Sequence, residues 1–159
     1  MAKLLFDGHA HILTLLDDEG KRIASWEAYN NVDRHATLRF VPNRRYVIQD
    51  RAAPFPHRAS ANGPYGLYGI IRFCVPGHPG IGVHSGRSAS KILPGPQHPT
   101  MGCIRTSDDA MLQLRQYMKE HPLSIIEVQN NSAWRAHAAS KRLNGRPLQA
   151  GVKQRQGAR

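Results

Sequence analysis

Short apolar runs separated by turns dominate the chain and predict a β-rich fold. An acidic turn over residues 17–20 joins the second and third runs, so the fold is expected to open with a hairpin and a meander. Alternation with β-branched residues supports a further strand over residues 45–50. The predicted strands cover residues 4–7, 11–16, 22–29, 45–50, 67–75, 80–83 and 124–128.

One principal helix is predicted in the second half of the chain. Thr106 or Ser107 supplies an N-cap, and Asp108 and Asp109 place acids in the first turn, where the helix dipole favours them. Apolar residues then recur at helical spacing until Pro122. The fold class is therefore mainly β with one principal helix.

Two long loops interrupt the strands. Residues 52–66 contain three prolines and two glycines, and residues 88–99 contain three more prolines and a glycine. Such segments cannot form a long regular element, and long loops on a rigid scaffold often shape a binding groove. A groove is therefore expected beside the strand that ends at His84.

Charge is distributed unevenly along the 159 residues, which carry a formal net charge of +11. Seven Lys or Arg and no acid lie in residues 133–159. We therefore predict one catalytic domain over residues 1–132 and a basic, flexible tail over residues 133–159. The basic residues are scattered without a recognisable reader fold, and no nucleic-acid partner is expected. No apolar run reaches the roughly 18 residues that predict a membrane span.

Candidate chemistry concentrates between His84 and Arg105. Cys103 stands between a Pro-rich loop and the predicted helix, where a nearby base or positive field can activate a thiol. His84, at a strand end, is the candidate base. Gly102 allows a backbone N–H to approach a reacting carbonyl, and Arg105 offers a planar fork of donors for a carboxylate.

The sequence from His84 to Met111, which contains HSG, a loop and PTMGCIRTSDDAM, resembles the signature of the L,D-transpeptidase family with its YkuD-type catalytic domain. The resemblance implies a β-sandwich-like fold and makes Cys103 the nucleophile, His84 its base and Ser85 the residue that orients the histidine. Gly102 takes the glycine position of the motif. The predicted substrate contacts are Arg105, Thr100, His98 and Tyr68; Tyr65 is a further groove candidate.

One position departs from the family pattern. Met101 stands where most members have a second histidine, which is usually linked to substrate binding and the oxyanion site. His98, three residues earlier, is the candidate to compensate. Rate or acceptor choice is therefore expected to differ from the family pattern.

The resemblance implies attack on the bond between the third stem residue and the terminal D-Ala of a peptidoglycan tetrapeptide. Water, an amine or a D-amino acid would then accept the acyl group, and no cofactor is required. With no signal peptide visible in the sequence, the expected site of action is the periplasm, after dedicated secretion as an antibacterial toxin. An immunity protein would then be a partner.

Three alternatives remain open at this stage. The first is another Cys–His amidase or peptidase, and the second is a non-catalytic module that binds cell wall or nucleic acid. The third is a zinc site with His78, His84, His98 and Cys103 as candidate ligands. The sequence lacks the closely spaced ligand pairs that are typical of structural zinc sites. Cys74, in an apolar run, is predicted to be a buried free thiol that does not pair with Cys103.

Overall fold

The computed structural model describes residues 1–134, which form eight strands and one α-helix. The mainly β fold class with one principal helix is confirmed. The elements in chain order are β1 (Ala2–Asp7), β2 (Ile12–Leu16), β3 (Arg22–Glu27), β4 (Arg45–Val47), β5 (Ile71–Arg72), β6 (Gly82–His84), β7 (Ile104–Arg105), α1 (Asp108–Met118) and β8 (Leu123–Gln129).

A five-stranded sheet, in the order β3-β2-β1-β8-β4, contains the longer strands. The first three strands form the predicted antiparallel meander, and β8 lies parallel to β1. Alternate residues of β1, namely Ala2, Leu4 and Phe6, are buried, as expected for a strand with one face on the core. The larger sheet thus supplies much of the hydrophobic core.

A second, three-stranded sheet, in the order β5-β6-β7, holds the candidate chemistry. Strands β6 and β7 are parallel, and His84 lies opposite Arg105 in their register. Two parallel neighbours need a crossover connection, which the loop over residues 85–103 provides. Residues distant in sequence therefore meet side by side at this sheet.

The predicted helix forms as α1. The Ser107 hydroxyl accepts the backbone N–H of Ala110 at 3.1 Å, and Asp108 and Asp109 occupy the first turn. Four apolar residues on one face are buried, which anchors the helix to the core: Ala110, Met111, Leu114 and Met118. The N-terminus of α1 is thereby fixed close behind the candidate site.

The predicted strand over residues 67–75 is wrong in its extent, because only Ile71–Arg72 forms regular ladder pairs. Gly69 has a positive φ of 78°, and a Cβ there would overlap the Phe55 carbonyl, so the chain bends at this point. Ile70 and Phe73 instead form single bridges with other segments. The expectation that Cys74 is buried is also wrong: the residue is exposed, because the strand alternation turns it away from the core.

Strand β7 was not predicted, because two residues between a loop and a helix carry no periodicity that sequence can reveal. The predicted basic tail over residues 133–159 lies almost entirely outside the described residues. Within residues 1–134, no helix is long and apolar enough to cross a bilayer.

Candidate active site

His84 and Cys103 line one cavity of about 410 Å³. The parallel register of β6 and β7 explains their meeting. His84 lies beside Arg105, and Cys103 precedes Arg105 by two residues, a spacing that keeps side chains on the same face of an extended chain. The predicted base and nucleophile therefore face a common space.

The imidazole of His84 is buried and held in one tautomer. Its Nδ1 lies 2.8 Å from the Ser85 carbonyl oxygen. Because a carbonyl only accepts, Nδ1 carries the proton and Nε2 keeps its lone pair. Burial lowers the pKa of His84 to about 4, so the ring is neutral at pH 7 and can accept a proton.

The backbone carbonyl of Ser85 makes this contact, while its side chain turns elsewhere. The Ser85 hydroxyl donates to Asp108 Oδ1 at 2.6 Å, and the same oxygen accepts the Leu67 N–H at 3.0 Å. A Cβ at Gly66 would overlap both the Ser85 hydroxyl oxygen and Asp108 Oδ1, so only glycine fits. Asp108 thus anchors the His84–Ser85 strand end to α1. Sequence reasoning treated Asp108 only as a helix-start acid.

The Cys103 thiol is almost fully buried. Its sulfur lies 3.7 Å from the Gly80 carbonyl oxygen, which the S–H donates to. Burial raises the pKa of Cys103, and a backbone hydrogen bond from Gly82 and the charge of Arg105 oppose that rise without cancelling it. The site at rest therefore pairs a neutral thiol with a neutral imidazole.

The turn that carries the thiol, residues 100–103, is called the Cys103 turn below. The Thr100 hydroxyl donates to the Cys103 carbonyl at 2.6 Å and accepts the Gly102 N–H at 3.1 Å. Gly102 adopts a φ of 135°, and a Cβ there would lie 2.8 Å from the Ile81 side chain. The Thr100 hydroxyl is therefore used inside the turn, and its predicted substrate contact stays a prediction.

Asn30 holds the Cys103 turn from behind, and sequence reasoning missed it. Its amide nitrogen donates to the Gly102 carbonyl at 2.9 Å and to the Cys103 carbonyl at 3.0 Å. Its oxygen accepts the Val41 N–H at 2.8 Å and the Asn131 amide at 2.9 Å. No local pattern in the sequence identifies a contact between residues that are 72 positions apart.

These contacts also set the orientation of the peptide bond between Gly102 and Cys103. In a trans peptide the C=O and the N–H point in opposite directions, so the Gly102 carbonyl bonded to Asn30 directs the Cys103 N–H away from Asn30. Within residues 1–134, no hydrogen bond occupies the Cys103 N–H, whereas Thr100 occupies that of Gly102. Of these two amides, that of Cys103 is the open donor.

Arg105 is buried and binds backbone carbonyls. Its guanidinium donates to the carbonyls of Pro64 at 2.9 Å, His98 at 2.7 Å, Pro99 at 3.1 Å and Ser85 at 3.3 Å. These bonds use four of the five N–H groups of an arginine. Burial, together with the nearby charge of Arg87, lowers the pKa of Arg105 to about 10, which leaves it charged at pH 7. Its predicted carboxylate contact stays a prediction, with one N–H left for it.

Of the remaining predicted contacts, His98 lines the cavity and Tyr68 does not. His98 and Met101 both line the cavity, and Met101 is 63% exposed. Tyr65 lines it as well, with its ring centroid 4.8 Å from that of His84, and the exposed His57 stacks on Tyr65 at 3.9 Å. Tyr68 packs against the core outside the cavity lining. The structure therefore assembles Tyr65 into the site in place of Tyr68.

No three His, Cys, Asp or Glu side chains among residues 1–134 lie together in a way that could hold a metal ion. The zinc alternative required His78, His84, His98 and Cys103 to converge. The described part of the chain does not assemble that ligand set.

Searches of protein-family models and of curated proteins with this sequence gave no match. Solved structures do match. An L,D-transpeptidase from Xylanimonas cellulosilytica shares 18% identity at a TM-score of 0.52, covering 80% of this chain and 59% of the other. One from Stackebrandtia nassauensis shares 16% identity at 0.53, covering 82% and 56%.

The helical cell shape determining protein Pgp2 from Campylobacter jejuni gives a TM-score of 0.59 at 16% identity, covering 87% of this chain and 52% of the other. This chain thus spans little more than half the length of the structures that it matches. At such identities the likeness concerns the fold. The described chain has the fold of the L,D-transpeptidases.

Proposed function

We propose that this protein is a cysteine acyltransferase of the L,D-transpeptidase and L,D-carboxypeptidase type that acts on peptidoglycan tetrapeptide stems. One observation carries the proposal: a neutral His84 and a buried Cys103 line one cavity beside an open backbone N–H, within the L,D-transpeptidase fold. A nucleophile, a base and an oxyanion donor are the minimum set for acyl transfer.

Acylation begins with proton transfer. His84 Nε2 takes the Cys103 thiol proton as the sulfur attacks the carbonyl carbon of the third stem residue, and the Cys103 N–H donates to the developing oxyanion. Collapse of this intermediate breaks the C–N bond, and His84 returns the proton to the amine of the departing D-Ala. The product is a thioester on Cys103.

Deacylation reverses these roles. His84 removes a proton from an incoming amine or water, which attacks the thioester carbonyl, and the thiol leaves after receiving that proton. An amine gives a cross-link or an exchanged D-amino acid, and water gives a trimmed stem. The neutral resting pair fits this order, since the thiol still carries the proton that His84 is to accept.

Mass analysis of a purified disaccharide-tetrapeptide, incubated with the full chain with and without a D-amino acid, tests the proposal. The chain should release D-Ala or exchange it, and Cys103→Ala should do neither. A Cys74→Ser background is needed for thiol labelling, because Cys74 is the exposed thiol. An unchanged tetrapeptide beside a labelled Cys103 would overturn the substrate class in favour of another Cys–His amidase or peptidase.

The site of action is part of the proposal. Peptidoglycan lies outside the cytoplasmic membrane, so we expect activity in the periplasm, as an antibacterial toxin that a dedicated immunity protein blocks. Directing the chain to the periplasm of a susceptible bacterium should halt growth, whereas Cys103→Ala should not. Equal growth with both chains would contradict the toxin role. The acyl-transfer reaction would still be tested by the tetrapeptide assay.

A further inference from the structure

Arg87 is a cavity-lining residue whose guanidinium has no protein partner among residues 1–134. Its side chain lines the cavity with His84 and Cys103. Among residues 1–134 no carboxylate lies within 4.0 Å of its guanidinium, and no side-chain hydrogen bond involves it. The acidic side chain on the cavity wall, Asp33, accepts the His35 backbone N–H instead.

The backbone holds Arg87 in a conformation that favours glycine. Its φ is 58°, in the left-handed region, which costs a non-glycine residue about 1 kcal/mol or more. Three backbone bonds fix it there: its N–H donates to the Gly63 carbonyl at 3.0 Å, and its carbonyl accepts the N–H groups of Ser90 at 3.2 Å and Gly95 at 2.8 Å. An arginine at such a position gives the cavity a charge that a glycine would not.

Arg105 cannot fill the same role in full. Four of its N–H groups already bind carbonyls, whereas all five of Arg87 are unused within the described residues. The two guanidinium groups are close enough for Arg87 to lower the pKa of Arg105. Two cations against the one carboxylate of Asp33 leave the cavity lining positively charged, which favours an anionic ligand, and the planar fork of arginine matches a carboxylate.

We infer that Arg87 forms a carboxylate-binding subsite and makes the site selective for acyl donors that carry a free carboxylate near the scissile bond. The inference deepens the proposed function and rests on its substrate class. Where the third residue of the tetrapeptide stem is a diamino diacid, two such groups flank the scissile bond: the C-terminal carboxylate of the departing D-Ala and the side-chain carboxylate of that residue. Both present the same chemistry to a guanidinium.

Binding to the Cys103→Ala chain tests the inference without turnover. Three disaccharide-tetrapeptides serve as probes: one with both carboxylates free, one with a C-terminal amide and one with a side-chain amide. Arg87→Gln should raise the Kd of the free donor about 10- to 100-fold, the usual range for one charged hydrogen-bonded contact. One of the two amidated probes should bind the chain that retains Arg87 with a Kd raised by the same factor. The Kd of that probe should not rise further when Arg87→Gln is introduced.

Lys91→Gln is the matched control, since it removes one positive charge from the same loop at an exposed position outside the cavity. A Kd that changes equally in Lys91→Gln and Arg87→Gln would overturn the subsite and leave only a diffuse field. Arg87→Lys keeps the charge without the fork and should recover a part of the affinity. Unchanged thermal unfolding midpoints would show that each variant is folded.

The outcomes separate the two proposals. Turnover of the tetrapeptide that is insensitive to Arg87→Gln would overturn the subsite and leave the proposed function intact. Arg87-dependent, carboxylate-dependent binding without any turnover by the unaltered chain would support the subsite and contradict the proposed reaction. Absence of binding to all three probes would overturn the subsite.

Discussion

The two walls of the cavity differ in how far their polar groups are already paired. The inner wall comprises Thr100 and Arg105, with Asn30 behind it, and the side chains of all three form hydrogen bonds with backbone groups. The outer wall comprises Arg87 and Met101, whose side chains make no hydrogen bond within residues 1–134. Paired groups hold atoms in place, and unpaired ones remain available for a ligand.

This difference indicates a division of labour. The inner wall positions the Cys103 turn and the Ser85 carbonyl that bonds to His84. Substitutions that remove these contacts should therefore lower kcat or the free energy of unfolding. The outer wall touches what enters the cavity, so changes there should alter KM and leave the fold intact. The predictions for Asn30, Arg105 and Met101 each test one side of that contrast.

The largest effect is expected at Asn30. Asn30→Asp keeps the side-chain shape but sets a carboxylate against the Gly102 and Cys103 carbonyls, so the Cys103 N–H should turn from the oxyanion position. Loss of one oxyanion donor costs about 100- to 1000-fold in kcat. Steady-state kinetics should show that loss with little change in KM. Asn62→Asp, at an exposed position, is the control, and comparable kcat values in both variants would contradict the assignment.

Replacing the buried guanidinium should mainly affect stability. Arg105→Lys loses at least one of the four carbonyl contacts and the planar geometry of the rest, and we expect the free energy of unfolding to fall by about 2 to 4 kcal/mol. Urea unfolding measures this. Arg87→Lys, on the outer wall, should change the free energy of unfolding by less than about 0.5 kcal/mol. Equal losses in both would remove the distinction between the walls.

Acid should destabilise the native state through His84. The unfolded chain binds the imidazole proton with a pKa near 6.5 and the folded chain with a pKa of about 4, so the contribution of His84 is complete above pH 6.5. It is lost as the pH falls through that window, by about 3 kcal/mol in total. Urea unfolding of the unaltered chain and of His84→Gln at pH 7 and pH 4.5 should show a smaller loss in the variant. The acid limb of kcat/KM should lie near pH 4.

A smaller effect is expected at the link between Ser85 and helix α1. Asp108→Asn weakens the charged acceptor of the Ser85 hydroxyl and the Leu67 N–H, and His84 loses part of its alignment. We expect kcat to fall about tenfold, as for other groups that orient a functional side chain. Asp109→Asn removes the same charge from the same helix turn and should have a clearly smaller effect. Equal kcat losses in the two variants would show that Asp108 acts only through its charge at the helix N-terminus.

The smallest change is expected at Met101. Its side chain is 63% exposed, so Met101→His should alter the free energy of unfolding by less than about 0.5 kcal/mol. The histidine should change KM or acceptor preference, measured with water and a D-amino acid in competition, by less than about tenfold. A kcat loss as large as that of Asn30→Asp would place position 101 on the inner wall.

Several parts of this molecule could be predicted from sequence because local rules govern them. The meander follows from alternation and an acidic turn, and α1 follows from the Ser107 cap and helical spacing. Cys103 and His84 were found by their motif spacing. Strand β7 and the role of Asn30 depend on contacts over many residues, and no local pattern encodes those.

The predicted role of Arg105 shows a different limit. Sequence identifies a guanidinium two residues after the thiol, but burial decides whether it meets a ligand or the protein itself. Four carbonyls from three loop segments occupy it, and only the folded chain brings those carbonyls together. The same reasoning explains why the neighbouring Tyr65 and Tyr68 differ in their access to the cavity.

Asn131 donates a hydrogen bond to Asn30, so the support of the Cys103 turn depends in part on a residue near the end of the described chain. Asn131 follows β8, which inserts between β1 and β4 only after most of the described chain has been made. Until that strand docks, Asn30 lacks one partner and the Cys103 turn lacks its full support. A chain in which β8 has not docked would therefore lack one of the contacts that support the Cys103 turn.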